Sequence, residues 1–179
     1  MGTGTIDDTI IEAMLEDFDG GFTELVRAHQ PGIFSGAYRL TRSRMEAEDV
    51  AQETMLRAYR SLTGFNDDRL SELRIRPWLW TIALNLIRSR ARKPREDSEA
   101  TEWMHPPTHD HEPIDDDAWN DRLGRLNGPQ RTAIVLRHVL DLPIAEIAEI
   151  TERPEGTVKA DISRGLASLR RTLEREALL

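Results

Sequence analysis

The chain has 179 residues, no cysteine and a formal net charge of −8. That length allows one large or two small cores, the missing thiols exclude a disulfide framework and a thiolate metal site, and no apolar run approaches the ~20 residues that a bilayer span needs. The charge is uneven: residues 1–72 carry −7, residues 73–95 carry +7, residues 96–121 carry −10 and residues 122–179 carry +2. A strongly basic block lies beside an acidic one, and a phosphate backbone meets segment charge, not net charge.

Residues 1–20 form an acidic extension in which Ile6, Ile10, Ile11, Met14 and Leu15 fall at the spacing of an amphipathic helix. They lack the basic start and apolar stretch of a secretory signal, so an intracellular, cytoplasmic protein is expected. Residues 21–40 carry Phe22, Leu25, Val26, Ile33, Phe34, Ala37 and Leu40 in a helical pattern that Pro31 is expected to interrupt. Residues 45–62 give the cleanest helix, with Ala47, Val50, Ala51, Thr54, Met55, Ala58 and Leu62 on one stripe. Its other face shows Glu46, Glu48, Asp49, Gln52, Glu53, Arg57 and Arg60.

A polar loop, TGFNDDRLSE, follows, and Pro77 then opens a helix that buries Leu79, Ile82, Ala83, Leu86 and Ile87. Arg88, Arg92 and Lys93 extend its basic end, while Trp78 and Trp80, two positions apart, point to different faces. Trp78 is expected to be packed and Trp80 to lie nearer the surface. Residues 94–118 are acidic and carry Pro94, Pro106, Pro107 and Pro113 with almost no aliphatic side chains. Such a segment buries too little to fold alone and reads as a flexible linker. Its His105, His109, Asp110, His111 and Glu112 lack helical i, i+4 pairing, so no metal site is expected there, nor any cofactor elsewhere.

Trp119 to Leu140 read as one or two helices interrupted near Asn127-Gly128-Pro129. LPIAEIAEITERPEGTVKADISRGLASLRRTL (142–173) then reads as two helices and a tight turn, with a helix-turn-helix at about 144–163. Ile144, Ile147 and Ala148 form one seam, and Val158, Ile162, Leu166 and Leu169 the other. Pro154 suits the first position of the second helix, where a missing N–H is harmless. The outer face of that helix is free for a DNA major groove. Its first turns expose Arg153, Glu155, Thr157, Lys159 and Arg164. Arg and Lys favour guanine edges and Glu accepts from cytosine N4, so Arg153, Glu155 and Lys159 are the candidate base readers and Arg164 a phosphate contact. The expected fold class is all-α, two small helical domains on an acidic tether. No Gly-rich phosphate loop, HExxH or nucleophile motif is present, so no catalytic residue is assigned and a binding protein, not an enzyme, is expected.

Together these pieces resemble the bacterial RNA polymerase sigma factors of the extracytoplasmic-function (ECF) group. EAEDVAQETMLRAYR (46–60) is similar to the region 2.2 signature, PWLWTIALNLIRSRARK (77–93) to regions 2.3–2.4, and LNGPQRTAIVLRHVLDLPIAEIAEITERPEGTVK (126–159) to region 4. The resemblance implies region 2 over residues 21–93, region 4 over residues 119–179, and an alternative sigma factor that directs promoter-specific initiation. It implies docking on core RNA polymerase, at the β′ clamp and the β subunit, through Asp49, Gln52, Glu53 and Arg57. It implies contact with the −10 promoter element through Phe65, Asn66, Arg76, Trp80, Asn85, Arg88, Arg92 and Lys93. The −35 element falls to Arg153, Glu155, Thr157, Lys159 and Arg164, and control to an anti-sigma factor that is often membrane-anchored. Ser89 stands where many members carry Asp, and Asp161 where Arg is frequent. A stand-alone helix-turn-helix regulator is the alternative; it accounts for residues 120–174 but not for the acidic helix or the Trp-Leu…Ile-Ala…Asn segment.

Overall fold

The structure, a computed structural model, describes residues 6–92 and 116–178. Lys93, most of the linker and its histidines lie outside the described residues, whose secondary structure is helical throughout. The helices are α1 (Ile6–Glu16), α2 (Phe18–Thr41), α3 (Arg44–Leu62), α4 (Asp67–Ser71), α5 (Ile75–Arg92), α6 (Asp116–Gly124), α7 (Gly128–Ile134), α8 (Ile144–Thr151) and α9 (Glu155–Glu176); α7 runs on into a π-helical turn, Val135–Val139.

Local chemistry sets the boundaries. Ser43 caps α3, its side chain accepting from the Glu46 N–H at 3.3 Å, in an S-x-x-E arrangement. Asn66 and Asn127 cap α4 and α7 in the same way. The stripe of α3 packs as its spacing requires: Ala47, Val50, Ala51, Thr54, Met55, Ala58 and Leu62 are all buried. Thr54 satisfies its hydroxyl by donating to the Val50 carbonyl at 2.7 Å, which is why a polar residue fits that seam.

Three expectations are corrected here. Pro31 does not interrupt α2, which runs unbroken from Phe18 to Thr41. Pro31 is exposed, so the carbonyl freed by its missing N–H meets water, and buried Leu25 and Ile33 hold the helix on either side. Leu166 is 42% exposed and does not join the α9 seam. Gly165 takes that place, with Ile134 of α7 lying where a Cβ would project. In α1, Ile10, Ile11 and Met14 are buried but Ile6 and Leu15 are not, so the extension docks on α2 through a narrow stripe. His29 Nε2 lies 2.9 Å from Asp7 Oδ1 across that contact, and hydrogen bonding to His29 holds the Asp7 carboxyl below its ordinary range.

The third correction concerns the tryptophans and reverses their expected roles. Trp80 is 3% exposed, whereas Trp78 is only half-buried. Trp80 enters a slot between α2 and the second domain. A Cβ at Gly36 of α2 would collide with its Cη2 and Cζ2 and with Cδ1 of Leu140. The absence of a side chain at Gly36 thus lets α5 approach α2 and Leu140 at once. The buried side chains form one connected core from Ile10 to Leu169, so the two halves pack on each other. Arg131 ties them further: its guanidinium donates to the carbonyls of Leu123, Gly124 and Leu126 at 2.9–3.1 Å and of Leu40 at 3.4 Å. Burial there pushes its pKa below the usual arginine value.

Gly36→Ala should therefore destabilise the chain by about 1–3 kcal/mol through overpacking, seen as a lower thermal midpoint. Gly32→Ala on the same helix, where no atom lies within 4 Å of the added Cβ, should be neutral or stabilising. Equal melting curves for the two variants would contradict the slot.

Candidate nucleic-acid interface

The polar face of α3 projects Asp49, Gln52, Glu53 and Leu56 on one side, at steps of three, one and three. Leu56 is 51% exposed, an apolar side chain among carboxylates. Sequence reading passed over it, although Leu56, like Met45, is a large apolar side chain on that helix outside the buried stripe. Glu53 accepts from Arg57 Nε at 2.7 Å, and that hydrogen bond holds the Glu53 carboxyl below its usual range. Asp49 meets Arg90 of α5 at 3.4 Å. These are exposed pairs, screened by solvent and weak, so a basic partner surface can displace them at little cost.

A second site lies between α4 and the start of α5. Phe65 and Trp78 face one another with ring centroids 6.0 Å apart and planes inclined by 54°. The Arg69 guanidinium sits 3.9 Å from the Phe65 centroid. They border an open recess of ≈ 370 Å³ that Arg74, Thr81 and Glu149 also line, room enough for a nucleobase. From Trp78 the positions Thr81, Asn85, Arg88 and Arg92 follow at steps of three, four, three and four, one stripe of α5 running out from the recess. Aromatic faces backed by guanidinium groups suit unstacked bases, and a basic stripe suits the backbone that carries them.

Not every residue expected at this site joins it. Phe65, Asn85, Arg88 and Arg92 do. Asn66 stands at its edge with its side-chain oxygen accepting from the Arg69 N–H at 2.9 Å as a helix cap. Trp80 is on the opposite side of α5, buried in the Gly36 slot. Arg76 also points away: its backbone N–H lies 3.4 Å from Asp7 Oδ2 and its Nη2 donates to the Asp141 carbonyl at 3.4 Å. Trp78, Arg69 and Arg74 belong here instead. Sequence reading chose the wrong tryptophan because a spacing of two separates faces without saying which is inside.

The third site is the helix-turn-helix. α8 ends at Glu152, in the left-handed region at φ 55, and the Arg153 N–H closes the turn onto the Ala148 carbonyl at 3.0 Å. Pro154 stands just before the first helical residue of α9, Glu155. Ile147, Ile150, Val158 and Ile162 pack the two helices together. Glu155 and Lys159 are exposed and pair at 3.6 Å, and Thr157 is half-buried. Asp161 is 4% exposed. One of its oxygens accepts from Arg153 and the other from Arg164 at 3.0 Å. Each cation in the first half of α9 and its turn thus has an acidic partner.

Two sequence profiles match this chain, Sigma-70 region 2 over residues 25–96 and Sigma-70 region 4 over residues 117–169. The ECF RNA polymerase sigma factor SigW of Bacillus subtilis (strain 168) is 32% identical over 169 residues, 85% of this chain and 88% of that protein. The chain belongs to the ECF sigma factors of bacterial RNA polymerase. The ECF RNA polymerase sigma-E factor of Haemophilus influenzae is also 32% identical, over 88% of this chain and 90% of the relative. The fold is shared with CnrH, solved with the cytosolic domain of CnrY (TM-score 0.72, 22% identity, 96% of this chain and 99% of that one). It is shared too with the sigma factor RpoE of Bartonella quintana, solved with the anti-sigma factor NepR (TM-score 0.66, 23% identity, 89% and 98%).

In this sigma factor the second and third sites touch. Arg74, at the mouth of the recess, donates to Glu146 at 2.7 Å and to Glu149 at 2.9 Å, both on α8. The hydrogen bond to Glu146 is the main reason the Arg74 guanidinium is held more firmly protonated than usual. Arg42 pairs with Asp121 at 2.9 Å across the same domain boundary. Among the described residues no group of His, Asp and Glu has metal-site geometry, and no helix is long and apolar enough to cross a membrane.

Replacing both acids, Glu146→Gln with Glu149→Gln, should weaken the contact between α8 and the recess by about 1 kcal/mol or less. With dye labels on cysteines introduced into α4 and α9 of this cysteine-free chain, the variant should show a larger mean separation than wild type. The difference should shrink at high salt. Identical transfer efficiencies would show that apolar packing alone holds the domains together.

Proposed function

We propose that this sigma factor joins core RNA polymerase and directs initiation at promoters carrying both a −35 and a −10 element. Asp49, Gln52, Glu53, Leu56 and Arg57 on α3 form the docking face. Carboxylates and an amide meet a basic helical partner through charge-assisted hydrogen bonds, and Leu56 adds apolar contact. The recess between Phe65 and Trp78 holds an unstacked base of the −10 strand, with Asn85, Arg88, Arg92 and Lys93 along its backbone. The α8–α9 pair reads the −35 element as duplex through the major groove. Arg153, Glu155, Thr157 and Lys159 face base edges there, and Arg164 the backbone.

The observation that carries this reading is the pairing, in one chain, of an aromatic recess on a basic helix with a helix-turn-helix. One suits single-stranded nucleic acid and the other suits duplex. A stand-alone regulator needs only the second. Joining both to polymerase raises the effective concentration of each for its DNA segment, so neither needs to bind tightly alone. The ion pairs from Arg74 to Glu146 and Glu149 must open before the two sites engage separate stretches of promoter. Solved fold relatives are named with partners, CnrH with CnrY and RpoE with the anti-sigma factor NepR, and an anti-sigma factor that keeps this chain closed fits the same logic. The setting is cytoplasmic, at the nucleoid with polymerase. The chain adds specificity and leaves bond-making to the polymerase.

Run-off transcription with core polymerase and a randomised promoter library tests this directly. Transcripts should enrich two spaced elements, and Gln52→Ala with Glu53→Lys should abolish enrichment by weakening holoenzyme assembly while leaving the circular dichroism spectrum unchanged. A library that yields no enriched element with the wild-type chain would overturn the reading.

A further inference from the structure

Asp161 is the one carboxylate of the described residues that is almost fully buried, and it sits in the recognition helix of a protein proposed to bind DNA. A buried charge is costly unless it is paired and hydrogen-bonded. Here both oxygens are taken, one by Arg153 in the turn before α9 and one by Arg164 one turn further along the helix. The side chain of Asp161 is 6% exposed, while those of Arg153 and Arg164 are 33% and 62% exposed. The carboxylate lies underneath and the two guanidinium groups lie on top. A guanidinium carries five N–H donors in a rigid fork, so a bond from each to Asp161 leaves donors on the outer edges. The group as a whole keeps a charge of +1.

We propose that Asp161 is a positioning residue for −35 recognition: it holds Arg153 and Arg164 as a fixed pair of guanidinium groups aimed out of the helix-turn-helix. This rests on the assignment of α8–α9 as the duplex reader and adds to it the group that sets its aim. Fixing two long side chains before DNA arrives removes rotamer entropy otherwise lost on binding. A guanidinium held in one plane discriminates a guanine edge better than a freely swinging one. Arg153, bound within the short turn ahead of α9, takes the base-reading place, and Arg164, further along and more exposed, takes the phosphate. The acid does not repel the backbone, because it is buried beneath two cations.

Holoenzyme assembled from core polymerase and the full chain tests this, using a promoter whose −35 element has been selected with wild type and the same promoter with that element scrambled. Asp161→Asn keeps the shape of the side chain but removes the charge. It should lower the ratio of run-off from selected over scrambled template by about tenfold. Run-off from the scrambled template should hold or rise, since one negative charge is gone. Arg153→Gln should lose discrimination at the same base pair, and Asp161→Asn should add nothing to it, the sign that the acid acts through the arginine. A purely structural staple would lower run-off from both templates and the melting temperature together, and that result would overturn the proposal. So would an unchanged or increased ratio. Should Asp161→Asn not fold, Arg153→Gln with unaltered base preference overturns it alone. A wild-type chain that selects no −35 element contradicts the duplex-reader assignment itself. One that selects an element but ignores Asp161→Asn contradicts only the role of Asp161.

Discussion

The rotational setting of α5 is the constraint on which the rest of the molecule depends. One side of this helix, with Ile75, Leu79, Trp80, Ala83 and Leu86, is buried. The other carries Trp78, Asn85, Arg88 and Arg92 outward. Trp80 fixes the setting because its ring is seated in the slot that Gly36 leaves open. With the ring seated, Trp78 meets Phe65 and the basic stripe follows on the same face. A rotation of about 100°, one residue of an α-helix, would bury the stripe and expose the core. The recess beside Phe65 and Trp78 is thus a consequence of packing on the far side of the helix.

Electrostatics in this chain work by exchange. A net charge of −8 looks hostile to DNA, yet among the described residues several cations sit against acids. Glu146 and Glu149 hold Arg74, Asp161 holds Arg153 and Arg164, and Asp49 holds Arg90. Exposed pairs of this kind are weak, whereas a row of phosphates gains from counterion release with each cation it meets. The exposed pairs at Arg74 and Arg90 can therefore open to an outside partner at little cost. Asp161 differs because it is buried and has no solvent to return to, so its arginines stay paired and are used in that arrangement.

Much of this was legible in the sequence, for definable reasons. The α3 stripe was read residue by residue because its period is clean over the whole helix. The helix-turn-helix was legible for the same reason. The order of the three motifs pointed to the sigma factors before any geometry. What failed depended on partners distant in sequence. The choice between Trp78 and Trp80 is made by Gly36 on another helix, and the direction of Arg76 by Asp7 and Asp141. Leu166 fits the apolar period of α9, but the contact with α7 is made by Gly165, which a hydrophobic pattern does not register. Asp161 stood out as an acid where Arg is frequent, with Arg164 one turn ahead as a local partner; Arg153, eight residues back, is brought to it only by the folded turn.

The most direct measurement of the central claim is permanganate mapping of unpaired thymines on a promoter, with core polymerase, this chain, or both. Strand opening at the −10 element is expected only when both are present, with duplex protection upstream of it. Opening by core polymerase alone, or protection of a palindromic duplex by the chain alone with no opening by the mixture, would contradict it.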